Sequence, residues 1–158
     1  MEFDFSYDNI GGLMALYAIP VESFVRLRRD YVADTYNLEL RAKDNIIIIP
    51  VLNDSSYSLD TSQEESSHGD ATRIIIEGVI PRLDKMHKSI LERLKQGYWY
   101  VLAKDQNGVS YWCGTEETLM KFSYTYSTGK QYSSLNAASF TFSNMQESAP
   151  VIIEDIEI

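Results

Sequence analysis

"YWYVLAKDQNGVSYWCGT", residues 98–115, is the stretch whose reading decides the fold. Two runs rich in aromatic and aliphatic residues, Tyr98 to Lys104 and Val109 to Cys113, flank Asp105-Gln106-Asn107-Gly108. Aspartate at the first position of a turn and glycine at the fourth suit a type I turn closed by a glycine bulge. The stretch therefore reads as a structural hairpin, with one face on the core and the other covered by a helix or a neighbour. Trp99 and Trp112 open a second reading, an aromatic platform for a sugar or a base. Cross-strand packing is the commoner reason for tryptophans in paired strands.

Downstream the pattern stays strand-like. Met120, Phe122, Tyr124 and Tyr126 alternate with Lys121, Ser123 and Thr125, and Ser127-Thr128-Gly129-Lys130 turns the chain. "ASFTFSNM", residues 138–145, is a further strand with Phe140 and Phe142 on one face. The tail "PVIIEDIEI" reads, over 151–158, as a terminal strand or an arm for a neighbour.

Upstream, "PRLDKMHKSILERLKQ", residues 81–96, is the one helix. Pro81 suits the first helical position, and Gly97 supplies the stop. Leu83, Met86, Ile90 and Leu94 recur at helical spacing with Leu91 beside them, so one side is expected to pack on a sheet. "RIIIEGVI", residues 73–80, is a strand. Residues 53–72 are almost free of apolar side chains and read as a long polar loop, mobile or ordered only by a neighbour. "NIIIIPVL", residues 45–52, suits a strand buried on both faces and ended by Pro50. Phe24, Arg26 and Arg28 alternate with Val25 and Leu27, and Tyr36, Leu38 and Leu40 with Asn37, Glu39 and Arg41. Leu13 to Ile19 is a short strand ended by Pro20, and Phe3, Phe5 and Tyr7 mark an extended arm.

The expected fold is mainly β: an antiparallel β-sandwich or barrel with one flanking α-helix, in a single domain over 1–158. A chain of 158 residues with 44% hydrophobic residues is long enough to bury a core. The net charge of −9 disfavours specific nucleic-acid binding and anionic membrane surfaces. Cys113 is the one cysteine, which excludes a disulfide scaffold. "MEFDFSYDNIGG" has no basic or apolar leader region, and no apolar run approaches a membrane span, so synthesis in the cytoplasm is expected.

Chemistry is faint. His68 sits in "ESSHGD" near Glu64, Glu65 and Asp70, but metal ligands need a rigid second shell that a polar loop does not provide. His87 lies at the edge of the helix stripe, where packing is its ordinary role. Cys113 has Trp112, Gly114, Glu116 and Glu117 around it in sequence, not the electropositive setting of a reactive thiol. There is no phosphate loop and no catalytic carboxylate pair at a recognisable spacing. No catalytic residue, cofactor or metal is expected. Many strands, a long polar segment and extended ends suit a protein that assembles with itself.

Several positions carry a resemblance: the turn Asp105, Asn107 and Gly108, then Gly114, then Gly129 closing a strand. Asn136 follows, with Phe140 and Phe142 in an N-x-x-x-F-x-F arrangement. Together with the preceding helix and "GGLMALYAIP" near the N-terminus, these resemble virion structural proteins of tailed bacteriophages and prophages, of the tail tube and tail-assembly kind. The resemblance covers 97–150 well. Where a glycine is expected after Asn136, the chain has Ala137-Ala138. The resemblance implies a non-enzymatic subunit, made in the bacterial cytoplasm, that forms rings with itself and joins other virion proteins. It also implies a stacked conduit whose negative potential lets DNA slide. The other reading is a ligand- or carbohydrate-binding β-barrel module using exposed Trp99 and Trp112.

Overall fold

The computed structural model describes residues 10–51, 57–82, 84–128 and 136–158. In chain order the elements are β1 (Leu13–Pro20), β2 (Phe24–Asp30), β3 (Thr35–Leu40), β4 (Ile47–Ile49), β5 (Ser58–Ser66) and β6 (Gly69–Pro81). There follow α1 (Lys85–Gln96), β7 (Tyr98–Asp105), β8 (Ser110–Cys113), β9 (Met120–Ser127), β10 (Ala137–Gln146) and β11 (Val151–Ile153). The strands pair in the order β2-β3-β11-β8-β7-β9-β10-β6-β5, with β1 on β7 and β4 on β1. The first and last strands of this path do not pair, so the sheet is an open, folded-over sandwich and not a closed barrel. Among the described residues pairing is antiparallel except for the single contact of β11 with β3 at Ile153 and Tyr36.

The stretch 98–115 is the hinge of this sheet. Trp99 pairs with Pro20 of β1 and with Met120 of β9, so β1 and β9 take opposite edges of β7. Val101 to Lys104 pair with β1 and with β8, so β8 shares the edge that β9 takes nearer its start. One strand thus feeds two layers. Side chains alternate along it: Trp99, Val101 and Ala103 enter one core, and Tyr100 and Leu102 enter another. Both faces are covered by the chain itself.

The larger core lies between β1, β7 and β8 on one side and β6, β9 and β10 on the other. Phe122, Phe140 and Phe142 sit at its centre with ring centroids 4.9–6.0 Å apart, and Leu91 and Leu94 of α1 close it. The smaller core holds Ile19, Ile46, Tyr100, Leu102, Trp112 and Ile153, covered by the β2–β3 hairpin through Phe24, Leu27, Leu38 and Leu40. A register shift between Phe24 and Arg26 is the device that turns Phe24 and Leu27 to the same face. Strict alternation would have put them on opposite faces.

Several sequence expectations change. The segment 53–72 is not a long loop over its described part: residues 58–66 form β5, and β6 begins at Gly69. It is ordered by pairing along its length with β6, from Ser58 opposite Glu77 to Ser66 opposite Gly69. Its outer residues are exposed on both faces, so they need no apolar periodicity and look like loop in sequence. α1 begins at Lys85, not Pro81, which is the last residue of β6. Asp84 is the better N-cap, because its carboxylate accepts from the His87 backbone N–H at 2.8 Å. Met86 is consequently exposed, while Leu91 and Leu94 are the residues buried. Ile48 is 63% exposed, so the isoleucine run is covered on one face only at that point; Ile46 and Ile49 enter the two different cores. Val151–Ile153 is an internal strand between β8 and β3 and not a free arm. The residues after it are tied back by Glu154 N–H to the Tyr36 carbonyl at 2.8 Å and by Lys104 to Asp155 at 2.9 Å. The expected arm at residues 3–7, and Leu83, lie outside the described residues.

Candidate functional site

The turn residues act as a clamp on the start of β1. Asp105 Oδ1 accepts from the N–H groups of Asn107 and Val109, both at 2.9 Å, and the Gly108 N–H reaches the Asp105 carbonyl at 3.1 Å. Gly108 has φ +83°, the left-handed conformation that glycine takes without strain. The Asn107 side chain then grips the backbone of Ile10, accepting from its N–H at 3.0 Å and donating to its carbonyl at 3.1 Å. Gln106 donates from its backbone to Gly12 and from its side chain to the Leu13 carbonyl, both at 3.1 Å. A groove of about 550 Å³ runs beside this clamp, between Tyr111 and the base of β5. Asp60 and Asp105 line it, and burial with the nearby Asp105 carboxylate raises the Tyr111 phenol above its ordinary range.

Gly114 donates its N–H to the Gln146 side chain at 3.1 Å, linking the end of β8 to the end of β10. The Asn136 carbonyl accepts from the Arg82 N–H at 2.7 Å, closing the β6 and β10 ends together. Gly129 lies outside the described residues. Of the turn positions singled out in sequence, Asp105, Asn107 and Gly108 stand together; Gly114 and Asn136 occupy separate places and do not join them in a site.

The tryptophans do not form an exposed platform. Trp99 is 5% and Trp112 is 3% exposed, on opposite faces of the β7–β8 hairpin. Trp112 pairs with Leu102 across the hairpin, and residue 99, an odd number of positions from 102, must face the other way. Trp99 Nε1 donates to the Leu94 carbonyl at 2.9 Å, fastening the end of α1 to β7. Trp112 stacks on Tyr100 with centroids 4.9 Å apart, and Phe24 lies 5.7 Å from Trp112.

His68 occupies the exposed turn between β5 and β6, with the Ser67 hydroxyl 2.8 Å from its Nδ1. His87 Nδ1 lies 2.6 Å from the Arg82 carbonyl, which only accepts, so that nitrogen carries the proton. Cys113 is fully buried, and burial pushes its thiol far above the range in which a thiolate forms. Among the described residues, no group of three or more His, Cys, Asp or Glu side chains could hold a metal ion. The Tyr124 phenol, pushed up to about 12 by its hydrogen bond to Glu92 and by burial, ties β9 to α1. Among the described residues no helix is long and apolar enough to cross a membrane.

What sequence reasoning missed is the pair of sheet ends. Among the described residues β5 and β2, the ends of the strand path, each have one neighbour and one open edge, as does the short β4 beside β1. The β5–β6 ribbon also runs past the core: beyond the pair Gln63 and Thr72, no residue of the larger core is present, and Glu65 stands opposite Asp70. Like charges opposite each other weaken a two-stranded ribbon. At the other end, the β2–β3 tip exposes Tyr31 at 82% and Val32 at 98%. No known protein family matches the chain, and no curated protein or solved structure matches it either.

Proposed function

We propose that this chain is a non-enzymatic structural subunit that associates with copies of itself. The observation that carries the reading is the β5–β6 ribbon, which projects residues 64–71 beyond the core with an edge along β5 that no described strand covers. A two-stranded ribbon without a hydrophobic face is marginal alone in water. Open edges are a hazard in a monomer and a joint in an assembly. The resemblance of 97–150 to tail tube and tail-assembly proteins supplies the form: a ring, made in the bacterial cytoplasm and incorporated in a virion with other virion proteins. The net charge of −9 suits a conduit that DNA slides through without sticking.

Excising the projecting ribbon tests this directly. Replacing residues 64–71 by Asn-Gly joins Gln63 to Thr72, a cross-strand pair, through a two-residue turn that suits a hairpin. The larger core keeps Ile74 and Ile76, so the variant melts within about 5 °C of the parent. Association is lost. A shortened chain that folds and still assembles like the parent contradicts the role given to the ribbon.

A further inference from the structure

Among the described residues three strands have a single neighbour, β2, β5 and the three-residue β4, and the two that end the main path, β2 and β5, differ in charge. β2 carries Arg26, Arg28 and Arg29 against Asp30 alone. The Asp30 carboxylate is turned into its own hairpin, accepting from the N–H groups of Val32 at 2.9 Å and Ala33 at 3.1 Å. β5 carries Asp60, Glu64 and Glu65 and no cation. The strands are similar in length, seven residues and nine. We infer that β2 of one copy adds to β5 of the next, head to tail, so that the sheet continues across the subunit boundary. This rests on the assembly reading and names its joint.

The faces fit as well as the charges. Leu27 packs on the smaller core, so alternation puts Arg26 and Arg28 on the opposite face of β2. Leu59 packs on the larger core, so Asp60 and Glu64 lie on the opposite face of β5. A sheet that keeps both cores on one side through the joint brings Arg26 and Arg28 beside Asp60 and Glu64. Within one chain Arg26 already pairs with Glu39 at 2.5 Å, and Glu64 with Arg73 at 2.8 Å. Among the described residues Arg28 has no ion pair, and the Asp60 carboxylate accepts from the Ser58 hydroxyl alone, at 2.9 Å. Arg28 and Asp60 are therefore the charges left for a neighbour. Joining like edges, β2 to β2 or β5 to β5, would set like charges against each other. The head-to-tail joint avoids this, and such a joint closes into a ring or runs on as a filament.

The test uses charge reversal and cross-linking on the full chain, with the melting curve of each variant as a check of folding. Arg28→Glu and Asp60→Arg each weaken association by about tenfold, and the double variant restores it. In a chain carrying both Arg28→Cys and Asp60→Cys, a short bis-maleimide gives a ladder of chain multiples, whereas either cysteine alone stops at dimers. Buried Cys113 does not contribute in the folded protein. If the parent associates but the double reversal is not restored and no ladder forms, the joint is wrong and assembly uses another surface. If the parent stays a monomer at every concentration, the assembly reading fails and the joint falls with it.

Discussion

Trp99→Ala lowers the free energy of unfolding by about 3–5 kcal/mol, the range for a large aromatic removed from a packed core. The indole is 5% exposed and sits where β7 leaves α1. Its ring lies so close to Gly97 that a Cβ there would meet it at 3.2 Å. Its N–H donates to the Leu94 carbonyl, one of the last carbonyls of the helix. Alanine leaves a cavity and removes that donor together. Trp99→Phe separates the two: it keeps most of the apolar contact and gives up the hydrogen bond, a net loss of about 1 kcal/mol beyond the change in packing. Urea unfolding followed by far-ultraviolet circular dichroism measures both variants. A loss for Trp99→Ala no larger than that for a surface substitution would contradict its place between helix and sheet.

Gly78→Ala costs about 1–3 kcal/mol through overpacking, although alanine is the better strand residue. Gly78 stands in the middle of β6 opposite Phe140. A Cβ at this position would meet two carbons of the Tyr57 ring at 2.5 Å and Cζ of Phe140 at 2.7 Å. The ring of Tyr57 cannot simply swing away, because its hydroxyl lies against the carbonyls of Pro50 and Val79. In a Tyr57→Leu background the same substitution costs measurably less, since the two positions share one space and their effects do not add. Equal costs in both backgrounds would mean that the glycine is not there to admit the tyrosine.

The parts of the fold that read well in sequence are those where local chemistry and burial agree. The 105–108 turn has the aspartate, asparagine and glycine that its geometry uses, so β7 and β8 are found where expected. β9 alternates cleanly because one face is buried at Met120 and Phe122 while Lys121 and Ser123 meet water. β5 is illegible in sequence for the opposite reason: most of its residues are exposed on both sides, and its order comes from a partner strand. The start of α1 is ambiguous in sequence because Pro81 suits a strand end as well as a helix start, and it is Asp84 that supplies the cap. The tryptophans illustrate a register effect. Composition groups Trp99 with Trp112, but the turn sets them an odd step apart and sends them to different cores. Which strands end as open edges is a property of the whole topology, so β2 and β5 could not be recognised as candidate joints before the sheet order was known.

The central claim is self-association, and the most direct measurement is mass by light scattering coupled to gel filtration over a wide range of protein concentration. The expected result is a mass that rises with concentration to multiples of one chain, reached in the parent and not in the variant lacking residues 64–71. A single-chain mass at every concentration, in parent and variant alike, would contradict it.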